Sequence, residues 1–153
     1  MTRTHVMQRE ALEIAGIRVQ VLVSSHETGG RYSICRIETD GPGSVPVLTH
    51  SYEDVCFFVE AGEFHFDVAG SSAIALQGSL VFIPHGTAYR LRTGLREACR
   101  LLLLAHPGGV DLLFHDVFAA HGKSLQPILE KHGITLLCDV YSSRRDLTDE
   151  SHR

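Results

Sequence analysis

No CxxC pair occurs in this sequence: its four cysteines, Cys35, Cys56, Cys99 and Cys138, stand far apart. That spacing argues against zinc-ribbon and dithiol redox motifs. Three of the four lie in apolar, strand-like runs, where a reduced cysteine packs as a small hydrophobe. Unpaired thiols of this kind fit a reducing cytoplasm, which is the expected location. A basic run is also missing. The 14 Lys and Arg are scattered among 18 Asp and Glu, giving a formal net charge of −4, so phosphate backbones find no footprint and nucleic acid is not an expected partner. Apolar stretches such as Leu101 to Ala105 fall far short of the ~20 residues needed to cross a bilayer. The segment Met1 to Glu10 has no unbroken apolar run after its charges, so neither a signal peptide nor a membrane partner is expected. Internal repeats and low-complexity tracts are absent as well.

What is present suits one soluble domain. The chain has 153 residues, 44% hydrophobic and 21% charged, a size at which roughly 70% of the unfolded surface can be buried without a disulfide or structural metal. The expected organisation is a single domain over residues 1–141, with a core at about 15–106, C-terminal helices at about 109–133 and a disordered polar tail at 142–153.

Short apolar or alternating segments separated by Gly, Pro, Ser and Asp punctuate the first two-thirds, the pattern of an all-β domain. Ile17 to Ser24 and Tyr32 to Thr39 form one strand pair across the turn-prone Glu27 to Gly30, and Asp40 to Ser44 then breaks the chain. In Phe64 to Val68 the apolar residues 64, 66 and 68 alternate with the polar 65 and 67, giving one wet and one dry face. The same logic over Thr87 to Arg92 sets Tyr89 and Leu91 opposite Arg90 and Arg92, so Tyr89 should point inward. Leu80 to Ile83 and Arg100 to Ala105 are denser apolar runs. Strands covered on both sides would explain them, and so would a subunit contact. After Gly109 the spacing of Val110, Leu113, Phe114, Val117 and Phe118 predicts an amphipathic helix ending near Gly122. A second short helix is expected from Ser124 to His132, capped by Ser124, with Pro127 in its first turn and Gly133 as its stop.

Two stretches carry a family resemblance. Residues 46 to 66, from Pro46 through His50, Glu53, Val55 and Gly62 to Phe66, resemble the first cupin motif, a His-x-His pair followed by a Glu and a closing Gly. Residues 78 to 89, with Gly78, Pro84, Gly86 and Tyr89, resemble the second, Gly-x5-Pro-x-Gly-x2-His. The spacing from Gly62 to Gly78 is similar to that of single-domain cupins, and a weaker likeness to bacterial monocupins, among them quercetin-dioxygenase-like and polyketide-cyclase-like members, runs over about residues 15 to 138. The resemblance implies an all-β fold: a double-stranded β-helix, or jelly-roll barrel, with two short C-terminal helices. It implies homodimerisation as well.

Carried over position by position, the family's four metal ligands fall on Leu48, His50, Val55 and Tyr89. Only His50 keeps a usual ligand type. Leu and Val have no lone pair to donate, and a catalytic metal ordinarily needs about three protein ligands. No metal and no other cofactor is therefore expected. Tyr52, Glu53 and His85 are conceivable substitute ligands, with His65 a poorer one on the polar face of its strand. The expected interior is an apolar chamber lined by Leu48, Val55, Phe57, Phe64, Phe66, Leu91 and Ile34, with His50 and Tyr89 as its polar points. It suits a small hydrophobic or aromatic metabolite.

Two readings of that pair stand side by side. In one, His50 is a general base, Tyr89 donates a hydrogen bond or proton to an oxygen gaining charge, and Glu53 orients His50. In the other, His50 and Tyr89 merely satisfy each other in the core. The first leads to a metal-independent cupin enzyme of secondary metabolism, performing an isomerisation, dehydration or cyclisation. The alternatives are a small-molecule-binding barrel without catalysis and a dioxygenase with an atypical ligand set. Cys56, out of phase with Val55 and Phe57, reads as a packed thiol.

Overall fold

The computed structural model describes residues 9–94 and 98–137. Cys138 and the expected tail at 142–153 lie outside these. The strands are β1 (Ala11–Ile14), β2 (Ile17–Val23), β3 (Ser33–Thr39), β4 (Leu48–His50), β5 (Asp54–Ala61), β6 (Phe64–Val68), β7 (Ser71–Ala75), β8 (Leu80–Ile83), β9 (Tyr89–Thr93) and β10 (Cys99–His106). Helices α1 (Val110–Ala119) and α2 (Gln126–Lys131) follow, and then β11 (Ile134–Leu136). The strands form two antiparallel sheets, a six-stranded one ordered β1-β2-β3-β10-β5-β8 and a five-stranded one ordered β11-β4-β9-β6-β7. No helix among the described residues is long and apolar enough to cross a membrane.

Alternation decides which side chains meet between the sheets. In β5, Val55, Phe57 and Val59 are buried while Phe58 is exposed. Phe64 and Phe66 are the buried positions of β6. Cys99, Leu101, Leu103 and Ala105 point inward from β10, and Tyr89 does so from β9. These residues form one continuous core cluster, against which Leu48, Leu91 and Phe114 of α1 pack. Burying each of the three inward phenylalanines stabilises the fold by roughly 1.5–3 kcal/mol.

The strand pair at 17–39, the wet-and-dry strand 64–68, the inward Tyr89 and both helices lie where the pattern puts them. Two details differ. Leu125, not Ser124, is the residue before α2, and no side chain caps that helix. Strand β11, pairing with β4, was not anticipated. Three residues are too few to show a period, and only the partner strand makes such a segment a strand.

The β5–β6 hairpin turns at Gly62, whose φ of +78° lies in the left-handed region. A Cβ there would lie 2.7 Å from Cys99 Sγ and 2.9 Å from the Ala98 carbonyl oxygen. Gly62→Ala therefore combines backbone strain with a backbone clash, and should destabilise the fold by about 3 kcal/mol in denaturant unfolding.

On the outer face of the smaller sheet, Asp67 of β6 lies directly opposite Arg90 of β9 and accepts hydrogen bonds from its Nε at 3.0 Å and Nη2 at 2.8 Å. The Ser72 hydroxyl donates to the same carboxylate. Ser72 first, then Arg90 and Arg92, hold the Asp67 carboxyl below its ordinary value. A group depressed in the folded state contributes stability above its unfolded pKa, about 4, and loses it as pH falls through the folded value. Asp67→Asn should accordingly lower the melting temperature at neutral pH and leave it less sensitive to pH below about 4, as differential scanning calorimetry across that range would show.

Candidate functional site

His50 ends β4, buried, on the strand that pairs with β11 on one side and β9 on the other. Leu48 is the residue opposite Tyr89 in that ladder, so His50, two positions on, meets Tyr89 diagonally on the same face. The His50 Nε2 and the Tyr89 hydroxyl are 2.7 Å apart, and the two rings lie nearly parallel, 11° between planes at a centroid distance of 5.7 Å. Phe57 meets Tyr89 edge-on at 5.7 Å and Phe66 at 5.3 Å. A hydroxyl and an imidazole thus face each other inside an aromatic box.

Glu53 stands on the far side of the imidazole. It lies in the turn between β4 and β5, is buried, and brings Oε2 to 3.4 Å from His50 Nδ1. Neither atom has a hydrogen-bond partner. Space for the carboxylate comes from Gly109, at the residue before α1, where a Cβ would lie 3.3 Å from Glu53 Oε1 and where φ is +147°. Burial, reinforced by the Glu53 carboxylate, pushes the Tyr89 hydroxyl well above its ordinary pKa. Tyr89 therefore keeps its proton at neutral pH and can donate it in the hydrogen bond to His50 Nε2, while Nδ1 is the nitrogen that faces Glu53.

Of the residues expected to line the interior, Val55, Phe57, Phe64 and Phe66 belong to the same core cluster as Tyr89, and Leu48 and Leu91 pack on it. Ile34 does not. Inward positions on β3 are Ser33, Cys35, Ile37 and Thr39, so Ile34 shares the outer face with Arg36 and Glu38. Cys35 is buried, and burial pushes its thiol up to about 12. Cys56 points away from the core, in phase with Phe58.

An open cleft of about 1020 Å³ lies at the other end of β6 and β9, between Gly43, Gly62, His65, Leu76, Arg92 and Gly94. None of the ten residues expected to form the chamber and its polar groups lines it, but His65, the poorer substitute ligand, does. Charged groups in the cleft are partnered, His65 Nε2 with Glu63 at 3.7 Å and Arg92 with Asp67 at 3.5 Å. Arg92 Nε in the cleft is left without a hydrogen-bond partner, as are His50 Nδ1 and Glu53 Oε2; the candidate site is taken at His50 and Glu53 because those two buried groups face each other beside Tyr89 in the core. His65 was visible in the sequence as a polar-face residue. No sequence signal places Gly109 beside Glu53, because that contact joins distant segments.

No family model matches the chain, and no curated protein matches it. Its backbone is similar to that of KdgF from Halomonas sp., at 16% identity and a TM-score of 0.64, over 72% of this chain and 99% of that one. It is similar to the polyketide cyclase RemF from Streptomyces resistomycificus, at 23% identity and a TM-score of 0.57, over 69% and 79% of the two chains. An RmlC-like cupin from Shewanella frigidimarina matches at 22% identity and a TM-score of 0.58, over 69% and 89%. The chain has the cupin fold.

Cupin resemblance implies a metal on the positions held here by Leu48, His50, Val55 and Tyr89, and these donors do not fit one. Leu48 and Val55 have no lone pairs. The two nitrogens of His50 diverge, so Tyr89 and Glu53 sit on opposite sides of the ring and cannot share one ion with it. Tyr52 is 61% exposed, and His85 is bonded to Asp54 at 2.8 Å on an exposed turn. Among the described residues no three His, Cys, Asp or Glu side chains converge on a metal-sized space.

Tyr89→Phe deletes the partner of a buried imidazole nitrogen and should cost about 1–3 kcal/mol. His50→Leu in the same background removes the stranded group, and the double variant should recover much of that loss. Urea unfolding of the two single variants and the double variant measures the coupling.

Proposed function

We propose that this cupin is an enzyme that moves a proton on a small, largely apolar or aromatic metabolite, with His50 as base, Tyr89 as hydrogen-bond donor and Glu53 as the group that positions His50. The observation that carries the proposal is the line Glu53–His50–Tyr89, in which a buried carboxylate faces the Nδ1 of an imidazole whose Nε2 is engaged by a phenol. The fold likeness to RemF, named a polyketide cyclase, supports an enzyme acting on such a compound.

The chemistry follows from the geometry. A substrate carbonyl oxygen takes the hydrogen bond of the Tyr89 hydroxyl, which frees Nε2. A neighbouring C–H bond breaks, its proton passes to Nε2, and its electron pair moves into the carbonyl to give an enolate held by Tyr89. The imidazolium is stabilised through Nδ1–H by the Glu53 carboxylate. Return of the proton to another carbon is an isomerisation; its departure with a β-hydroxyl group as water is a dehydration. With His50 6% and Tyr89 5% exposed, a substrate reaches the pair by parting the aromatic lining, which favours a small planar molecule.

The near-closed interior and the mutual satisfaction of His50 Nε2 and Tyr89 favour one other reading, a barrel that binds such a compound without changing it. Propiophenone and 1-tetralone in D2O separate the two, because deuterium incorporation next to the carbonyl reports proton removal. Wild-type protein should accelerate exchange, and His50→Ala and Tyr89→Phe should each slow it by about 10²–10⁴-fold. Saturable binding with exchange no faster than in buffer would favour the binding barrel. Equal acceleration in all three proteins would remove His50 and Tyr89 from the chemistry.

A further inference from the structure

Cross-strand register sets Arg92 of β9, His65 of β6 and Ile74 of β7 side by side on the outer face of the smaller sheet. Arg92 and His65 line the open cleft at that end of the barrel, together with Glu63, Leu76, Gln77 and Ser44. β9 begins at Tyr89 and ends at Thr93, and the cleft adjoins its end, away from the proposed proton-moving site. Two charges in the cleft are largely unused. Asp67 is already occupied, since Arg90 gives it hydrogen bonds at 3.0 and 2.8 Å and Ser72 gives it another. Arg92 reaches the same carboxylate only at 3.5 Å. Among the described residues that is its one side-chain hydrogen bond, and its Nε is buried without a partner. A guanidinium is a planar fork of several N–H donors, so most of its capacity is left over. The Glu63 carboxylate, 43% exposed, meets His65 Nε2 at 3.7 Å, beyond hydrogen-bond reach. It lies against bare backbone, with Oε2 3.3 Å from where a Cβ would stand at Gly94. Beside these charges the surface is aliphatic, with Leu76 and Ile74 both exposed.

We propose that this cleft binds a small zwitterion, a free α-amino acid with an aliphatic side chain, its carboxylate on the Arg92 guanidinium and its ammonium group on the Glu63 carboxylate. Charge selects this class. With Arg90 balanced by Asp67, the cleft holds one guanidinium and one carboxylate. A phosphate dianion gains from Arg92 and is repelled by Glu63, and a simple amine meets the reverse. A neutral ligand leaves both charges unused. A molecule with both charges a few ångströms apart satisfies each, and the carboxylate end matches the fork of the guanidinium. His65, directly opposite Arg92 and next to Glu63, stands between the two charged groups. Leu76 and Ile74, on the β7 side, offer the aliphatic chain a dry surface.

Isothermal titration calorimetry with L-leucine, isovalerate and isoamylamine tests the proposal, because the last two carry the same chain with only one of the charges. L-leucine should bind with a Kd of about 1 mM or tighter, and each single-charge compound at least 10-fold more weakly. Arg92→Gln and Glu63→Gln, with circular dichroism confirming that they fold, should each weaken L-leucine at least 10-fold. His50→Leu, in the barrel core, should leave its affinity unchanged. No binding of L-leucine to the wild type would overturn the proposal. So would isovalerate or isoamylamine binding as tightly as L-leucine, an affinity that survives both cleft substitutions, or one that His50→Leu abolishes.

Discussion

The hydrogen bond between His50 and Tyr89 has a structural consequence larger than its own energy. Strand β4 pairs with β9 through one residue pair, Leu48 with Tyr89, too little ladder to hold two strands in register. The 2.7 Å side-chain bond, one diagonal step along the same face, supplies a second tie. β11 pairs with β4 through three residue pairs, and α1 holds the C-terminal segment to the barrel separately, with Val110 and Phe114 on the core and Asp111 accepting from Ser25. The bond also fixes the orientation of the His50 ring and hence which nitrogen faces Glu53. The same two side chains thus join two strands and form the candidate site.

Much of this was legible because β-strands with one buried face declare their phase. Residues 64, 66 and 68 against 65 and 67, and Tyr89 with Leu91 against Arg90 and Arg92, required only alternation. The Gly and Pro framework around residues 62, 78, 84 and 86 did the rest for the fold. Ile34 shows where hydrophobicity misleads. Its side chain is apolar, yet it shares phase with Arg36 and Glu38, and the period is the better guide. The inward positions of β3 are Ser33, Cys35, Ile37 and Thr39, a phase that leaves Ile34 on the other face. Three-residue strands, the glycine space beside Glu53 and the cleft near Arg92 depend on contacts between distant segments, and nothing local in the sequence encodes them.

The outer face of the larger sheet carries the same lesson in reverse. A strand buried on one side should alternate, and β8 and β10 do not: Leu80, Phe82, Leu102 and Leu104 are apolar at positions where a solvated strand would carry polar groups. Failure of alternation is itself information, since it marks these strands as apolar on both faces. Among the described residues, only one of the two faces of these strands is covered.

The polar residues inside the barrel can be weighed in the same way. A buried polar atom without a partner costs about 1–3 kcal/mol, and His50 Nδ1 and Glu53 Oε2 are both in that position. A leucine at 50, a phenylalanine at 89 and an apolar residue at 53 would fill similar space without that cost, and replacing buried polar groups by apolar ones of like shape is commonly neutral or stabilising. Stability alone therefore does not account for an imidazole between a carboxylate and a phenol in an aromatic core. The proposed proton-moving site would use such an arrangement, since it needs an acceptor whose second nitrogen is held toward a carboxylate and a donor that keeps its proton at neutral pH.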